Sequence, residues 1–545
     1  MAEPGDRTGA KDGNPPWWRG AAIYQIYPRS FADSNGDGIG DLAGITAHLD
    51  HVASLGVDGI WLSPFFTSPM ADFGYDVADY CDVDPIFGTL GDFDALVARA
   101  HALGLRVIID QVYAHTSDAH AWFHESRGDR GNAKADWYVW ADAKADGTPP
   151  NNWQSVFAGP AWTWDARRRQ YYMHNFLSAQ PQLNVHLPAV QQALLDATRF
   201  WLDRGIDGFR FDAITCAMHD PQLRDNPPAP DRGTPRTRPF DFQRNIHNQR
   251  HPGLPAFLER VRALTDEYGE RFTVAEVGGA APERAMHAIT AGDDRLNSAY
   301  GFNFLYADKL TPSLVRTAAE QWPADPGTGW PSWAFENHDA PRAVSRWAAP
   351  EHRAAFAAMK MLLLVCLRGN IFLYQGEELG LTQVDVPFDR LQDPEAIANW
   401  PLTLGRDGAR TPMPWAADAP FLGFSGAEPW LPTGPDHAAL AVDRQDASPA
   451  SLLALTRRLL ALRKANPALR LGNLRIVEAS DAVLAFERIT LGQRLLCVFN
   501  ISETSQDWQP DDADDWETVE QVGDITNGTF TPYAARIAAR SNSGT

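Results

Sequence analysis

Eight short apolar runs alternate with stretches of helical periodicity along this chain, at residues 21–28, 56–64, 105–113, 205–213, 272–277, 299–304, 332–339 and 370–380. Residues 90–102, 188–204 and 350–368 repeat apolar side chains at three- and four-residue intervals, as one buried helix face requires. Strands that are apolar nearly throughout need cover on both faces, which a parallel sheet wrapped in helices supplies. Eight such repeats predict an α/β fold, a closed (β/α)8 TIM barrel whose active site lies at the C-terminal ends of the strands.

Two connections are too long for a bare barrel. Residues 114–180, rich in Trp, Asn and Pro, read as an inserted small domain after the third strand. Residues 219–252 are rich in Pro and Arg and follow the fourth strand; a long segment of this kind is usually functional, and it is expected to overhang the site. Residues 17–113 and 181–470 form the predicted catalytic barrel, and residues 1–16 a disordered leader. After a helix at 451–470 the pattern turns to short alternating strands, which predicts a C-terminal antiparallel β domain over 471–545.

Charge narrows the partners. A net charge of −21, from 48 basic and 69 acidic residues, argues against nucleic acid or an anionic membrane surface, both of which need positive patches. The N-terminus lacks an apolar secretory core, and the longest apolar stretch, 361–367, is far too short to span a bilayer, so a cytoplasmic protein is expected. Cys81, Cys216, Cys366 and Cys497 are widely separated and read as free packing thiols. The 19 Trp residues suit either a large core or aromatic walls around a sugar.

Three carboxylates stand at the ends of strand-like runs: Asp212, Glu276 and Asp339. An acid at the exit of a buried strand is costly to place for packing alone, so the three suggest one catalytic cluster. Arg210 lies two residues before Asp212 and points the same way, which would hold that carboxylate ionised; a purely structural pair would look the same. Val274, Ala275 and Val277 surround Glu276 with apolar groups, which raises a carboxyl pKa and suits a general acid. His338 beside Asp339 can grip adjacent hydroxyls or a developing positive charge. Asp33, Asn35, Asp37 and Asp41 alternate in a Gly-rich loop with the Ile39 carbonyl between them. That pattern wraps a hard cation in oxygen, although Gly44 at the twelfth position departs from a full EF-hand loop and an Asx-rich turn would read alike.

Together these segments resemble the conserved regions of glycoside hydrolase family 13, the α-amylase family. Residues 110–115 (DQVYAH), 208–213 (GFRFDA), 275–277 (AEV) and 336–339 (ENHD) are similar to its four regions in order and spacing, and 180–184 (QPQLN) to a fifth. Residues 33–45, 386–394 and 406–415 resemble the oligo-1,6-glucosidase and α-glucosidase branch. The resemblance implies Asp212 as nucleophile, Glu276 as acid/base and Asp339 as transition-state stabiliser. It implies Asp76, His115 and His338 on the hydroxyls of the bound sugar, and Tyr75 stacked on its face. Arg406 would close the pocket, with Arg410 as runner-up. It further implies one structural Ca2+ or Mg2+ on Asp33, Asn35, Asp37, Ile39 and Asp41, and no organic cofactor. The expected activity is that of a retaining, exo-acting α-glucosidase on short maltose-type glucosides, with transfer to other hydroxyl acceptors. A glucosyl-shifting enzyme (sucrose isomerase, trehalose synthase or sucrose hydrolase) is the alternative, and a non-catalytic relative a remote one. Ala114, Gln182 and Ala213 depart from the branch pattern. Ala213 in place of Val or Thr favours α-1,4 linkages and widens the acceptor side.

Overall fold

The computed structural model describes residues 15–231, 236–279, 282–322, 329–403 and 405–540. Most of the predicted leader therefore lies outside the described residues. Eight parallel strands close into a barrel: β1 (Ala22–Ile26), β2 (Gly59–Leu62), β3 (Arg106–Val112), β4 (Gly208–Asp212), β5 (Phe272–Val277), β6 (Ser298–Gly301), β7 (Trp330–Ala334) and β8 (Asn370–Tyr374). Each pairs with the next, and β1 pairs with β8 to shut the ring. All eight predicted runs are present: the fifth keeps its bounds, the sixth and seventh start one and two residues earlier and end sooner, and the others are shorter than predicted.

Six of the eight strands are buried at every residue; β6 is buried except at its last. β3 begins with one exposed residue, Arg106. Alternation sorts the side chains into two cores. Ile23, Trp61, Ile108, Val274, Tyr300 and Phe372 fill the barrel interior, while Phe209 and Phe211 of β4 point out to the helical shell. The shell includes α1 (Leu42–Ser54), α2 (Leu90–Ala102), α3 (Pro188–Asp203), α4 (Leu254–Asp266), α5 (Pro282–Thr290), α6 (Pro312–Glu320) and α7 (Arg353–Cys366). Thr89 caps α2 in a reciprocal box with Asp92, and Asp41 caps α1 by accepting from Gly44 N–H. Among the described residues no helix is long and apolar enough to cross a membrane.

Between β3 and α3 the chain leaves the barrel and forms a three-stranded antiparallel sheet from Trp140–Ala141, Gln170–Met173 and Trp162–Asp165. Beyond α8 (Leu452–Ala465) lies the C-terminal sheet. Its strands are β9 (Asn473–Ala479), β10 (Val483–Thr490), β11 (Gln493–Asn500), β12 (Trp516–Val522) and β13 (Ala535–Arg540), in the order β9-β10-β11-β13-β12. Arg463 of α8 binds the barrel from below. Its guanidinium donates to the carbonyls of Gly20 (3.2 Å), ahead of β1, and of Val365 (2.6 Å), Leu367 (3.1 Å) and Gly369 (2.5 Å), ahead of β8. One buried side chain thus ties together the two strands that close the ring.

Candidate active site

Strand register decides which side chains meet. Asp110 on β3 is level with Arg210 on β4, and Glu276 on β5 is level with Tyr300 on β6. Arg210 is fully buried and reaches three carboxylates: Asp110 (2.6 Å) and Asp212 (2.8 Å) through Nη1, and Glu276 (2.6 Å) through Nη2. Its Nε donates to the Tyr300 hydroxyl at 3.0 Å, and that hydroxyl donates to Glu276 Oε1 at 3.2 Å. Asp110 also accepts from Trp61 Nε1 at 3.1 Å and the Tyr75 hydroxyl at 3.2 Å. Immediately after Asp212, Ala213 sits in the left-handed region at φ 37°, a conformation costly for a residue with a Cβ. That turn aims the Ala213 N–H at Glu276 Oε2, 3.3 Å away.

Asp339 joins from the loop after β7. Oδ1 accepts from Arg410 at 2.7 Å and from Arg406 at 3.4 Å, and Oδ2 lies 3.2 Å from His338 Nε2. Burial works against its charge, but His338, Arg410 and Arg406 outweigh it and hold the carboxyl well below the ordinary range. Asp212 and Glu276 go the other way. Burial pushes each up to about 7, against the opposing pull of Arg210, and the neighbouring acids add to the rise. Glu276 is raised as its apolar flanks predicted. Asp212 is also raised, although Arg210 was expected to keep it ionised: the same guanidinium serves three acids and neutralises none of them alone.

The acids open into a cavity of about 820 Å³ lined by Asp212, Glu276, Asp339, Tyr75, His115 and Arg406, among others. A family model for the catalytic domain of alpha amylase matches residues 25–472. The chain belongs to the α-amylase family. A probable alpha-glucosidase of Rhizobium meliloti (strain 1021) is 53% identical over 497 residues, covering 89% of this chain and 90% of its own length. An oligo-1,6-glucosidase of Parageobacillus thermoglucosidasius is 34% identical over 562 residues, covering 96% and 98%. Among solved structures, the alpha-glucosyl transfer enzyme XgtA superimposes with a TM-score of 0.93 at 49% identity, covering 97% of this chain and all of its own. The trehalulose synthase MutB from Pseudomonas mesoacidophila MX-45 does so at 0.88 and 31%, with the same coverage.

In this α-amylase-family chain the remaining expected residues divide into those on the cavity wall and those behind it. Tyr75 and His115 line the wall; burial lowers the His115 imidazole to about 4, so the ring is neutral. Arg210 lies beneath the carboxylates, and His338 stands behind Tyr75, stacked on it with ring centroids 5.5 Å apart. Asp76 does not line the cavity wall. Its carboxylate is consumed inside the turn, accepting from Ser68 Oγ (3.0 Å), Ala71 N–H (2.8 Å) and Asp72 N–H (2.9 Å). Asp72 faces the cavity instead and pairs with Arg406 at 2.9 Å. Arg406 is fixed from behind by Asp393 at 2.8 Å and lines the cavity, while Arg410 is fully buried behind Asp339. The segment after β4 overhangs as expected: Thr237, Arg238, Phe240, Asp241, Asn248 and Gln249 line the cavity, and Arg238 bridges to Glu395 at 2.9 Å across it.

In loop 33–41, Asp33 accepts from the N–H groups of Asn35, Gly36 and Gly38 and from Ser425 Oγ, Asn35 from Asp37 N–H, and Asp37 from Ile39 N–H. Asp41 is taken by Ser34 and by the cap of α1. Among the described residues no group of three or more His, Cys, Asp or Glu side chains forms a metal cradle. The donor chemistry, all oxygen, is that of a hard cation.

Proposed function

We propose that this chain is a retaining, exo-acting α-glucosidase for short α-glucosides. The observation that carries the reading is the single guanidinium of Arg210 bridging Asp212 and Glu276 on the cavity floor. Acids tied to one guanidinium lie side by side, an arrangement that supports a retaining pair, which needs a separation of about 5–5.5 Å. Asp212 attacks the anomeric carbon of the glucosyl unit, the glycosidic bond breaks, and Glu276 gives its proton to the leaving oxygen. Glu276, now a base, takes a proton from water, whose oxygen displaces Asp212. A sugar or alcohol hydroxyl in place of water gives glucosyl transfer. Asp339, held as an anion, stabilises the positive charge that develops on the sugar ring. Asp72 and Arg406 line the cavity, with Asp393 behind Arg406, and offer charges matched to sugar hydroxyls, which supports attack at a chain end.

A second reading, rearrangement of the glucosyl linkage, is favoured by the likeness to an alpha-glucosyl transfer enzyme and a trehalulose synthase. Sugar analysis after incubation with maltose, isomaltose and sucrose separates the two. Glucose or its transfer products from maltose support the first; an isomer of sucrose as the main product replaces it with the second.

The pH profile follows from the pair. Asp212 and Glu276 titrate together, and their last proton leaves at about 7. The acid step needs that proton, so kcat/KM on p-nitrophenyl α-glucoside is expected to fall as pH rises through about 7. Activity flat to pH 9 would remove the assignment of Glu276 as acid.

We also propose that loop 33–41 takes one structural Ca2+ or Mg2+ apart from the chemistry, on Asp33, Asn35, Asp37, the Ile39 carbonyl and Asp41. An ion bound only by the folded state raises its stability. Saturating EDTA is expected to lower the melting temperature by several degrees and added Ca2+ or Mg2+ to restore it; an unchanged melt rules the ion out.

A further inference from the structure

His338 has different partners at its two ring nitrogens. Nε2 lies 2.5 Å from the Tyr75 hydroxyl and 3.2 Å from Asp339 Oδ2, whereas Nδ1 lies 2.8 Å from Gln25 Nε2. Tyr75 and Tyr27 lie near-parallel to the ring, at 5.5 and 5.7 Å, and Trp61 meets it edge-on at 6.1 Å. The ring is fully buried and has no room to flip.

A neutral imidazole carries one N–H. Asp339 is an anion, gripped by Arg410 and Arg406, so the nitrogen beside it needs the hydrogen. Burial favours the neutral ring, and the guanidinium groups of Arg410, Arg210 and Arg406 add to that; Asp339 alone pulls the other way. Nδ1 is then a bare lone pair in a dry site and needs a donor. Gln25 is that donor: one amide hydrogen goes to Ser63 Oγ at 3.1 Å and the other to His338.

We infer that Gln25, an interior residue of β1 outside the cavity wall, is a positioning residue that fixes the Nε2–H tautomer of His338 and through it the orientation of Asp339 and Tyr75. Its effect on turnover rests on the catalytic reading above; its effect on the ring does not.

The test uses the full-length enzyme labelled with [15N]histidine, with His338 assigned by the signals lost in His338→Gln. In the wild type, the nitrogen shifts are expected to show a protonated Nε2 and a bare Nδ1 from about pH 5 to 8. Gln25→Glu is nearly isosteric and, as the carboxylate, only accepts, so it calls for a hydrogen on Nδ1. The ring is then expected to stay doubly protonated at least about one pH unit higher than in the wild type. kcat is expected to drop by about 100-fold with KM changed less than about threefold, since the acid that stabilises the transition state is displaced while the pocket is kept. A hydrogen on Nδ1 in the wild type, or unchanged His338 protonation in a folded Gln25→Glu, overturns the inference. The wild-type shifts decide alone if Gln25→Glu does not fold. Correct shifts with an active Asp212→Asn would sink the catalytic reading and leave the role of Gln25 intact.

Discussion

Asp212→Asn is expected to lower kcat on maltose or p-nitrophenyl α-glucoside by about 10⁴-fold or more while the protein melts at or above the wild-type temperature. The carboxamide has nearly the shape of the carboxylate and keeps an oxygen for Arg210, but it has no charge with which to attack carbon. The fold does not depend on that charge. Burial already pushes Asp212 up to about 7, so ionising it costs stability instead of adding any. Asp212→Gly with azide sharpens the test. The small anion can enter from the face the side chain vacated, displace the leaving group and give a β-glucosyl azide. Turnover by Asp212→Asn within about tenfold of wild type would end the assignment of Asp212 as nucleophile, since no route through this carboxylate survives the change.

Arg210→Leu is expected to cost about 3–5 kcal/mol of stability and all measurable activity, because removing one partner from a buried ionic cluster leaves the others uncompensated. The loss has a pH signature. Asp212 and Glu276 bind protons more tightly in the fold, at about 7, than in the unfolded chain, at about 4. Asp110 is likewise raised by burial, to about 6. Stability from these groups is therefore present below about pH 4 and lost as pH climbs through about 7. Without the guanidinium the acids rise further, so urea unfolding of Arg210→Leu should differ least from wild type near pH 4 and most above pH 7. A deficit independent of pH would show that Arg210 acts as packing volume and not as counter-charge.

The barrel was legible because its strands are buried on both faces and so leave apolar runs that few other elements produce. The acids were legible for the opposite reason: Asp212 and Glu276 break apolar runs in which a charge is expensive. What could not be read was which neighbours each would meet. Arg210 was paired with Asp212 alone, because its contacts with Asp110 and Glu276 depend on the register of strands about 100 and 66 residues away in sequence. Asp76 came from the resemblance and Asp72 was not considered, because both lie in one turn with no periodicity to separate them. Only the fold reveals that the second acid accepts the backbone N–H of the first and turns away. Gln25 left a faint signal, one polar side chain in a strand otherwise buried and apolar or aromatic. Within the C-terminal β domain, β12 is hard to read from sequence because it is largely exposed along its length and lacks the apolar alternation that marks β10 and β11.

The Arg463 clasp bears on how the protein is made. A chain emerging from the ribosome has synthesised all eight staves of the ring by Tyr374, yet Arg463, which gathers the carbonyls ahead of the first and last staves, is still to come. Until α8 appears, the mouth that will receive sugar rests on a seam held by strand pairing and by side-chain bonds such as Gly20 N–H to Asn370 Oδ1 and Tyr27 N–H to Gln375 Oε1, without that buried guanidinium. Cutting the gene short after the eighth strand to obtain a minimal enzyme should therefore give an open, sticky intermediate that binds chaperones, not a smaller working one.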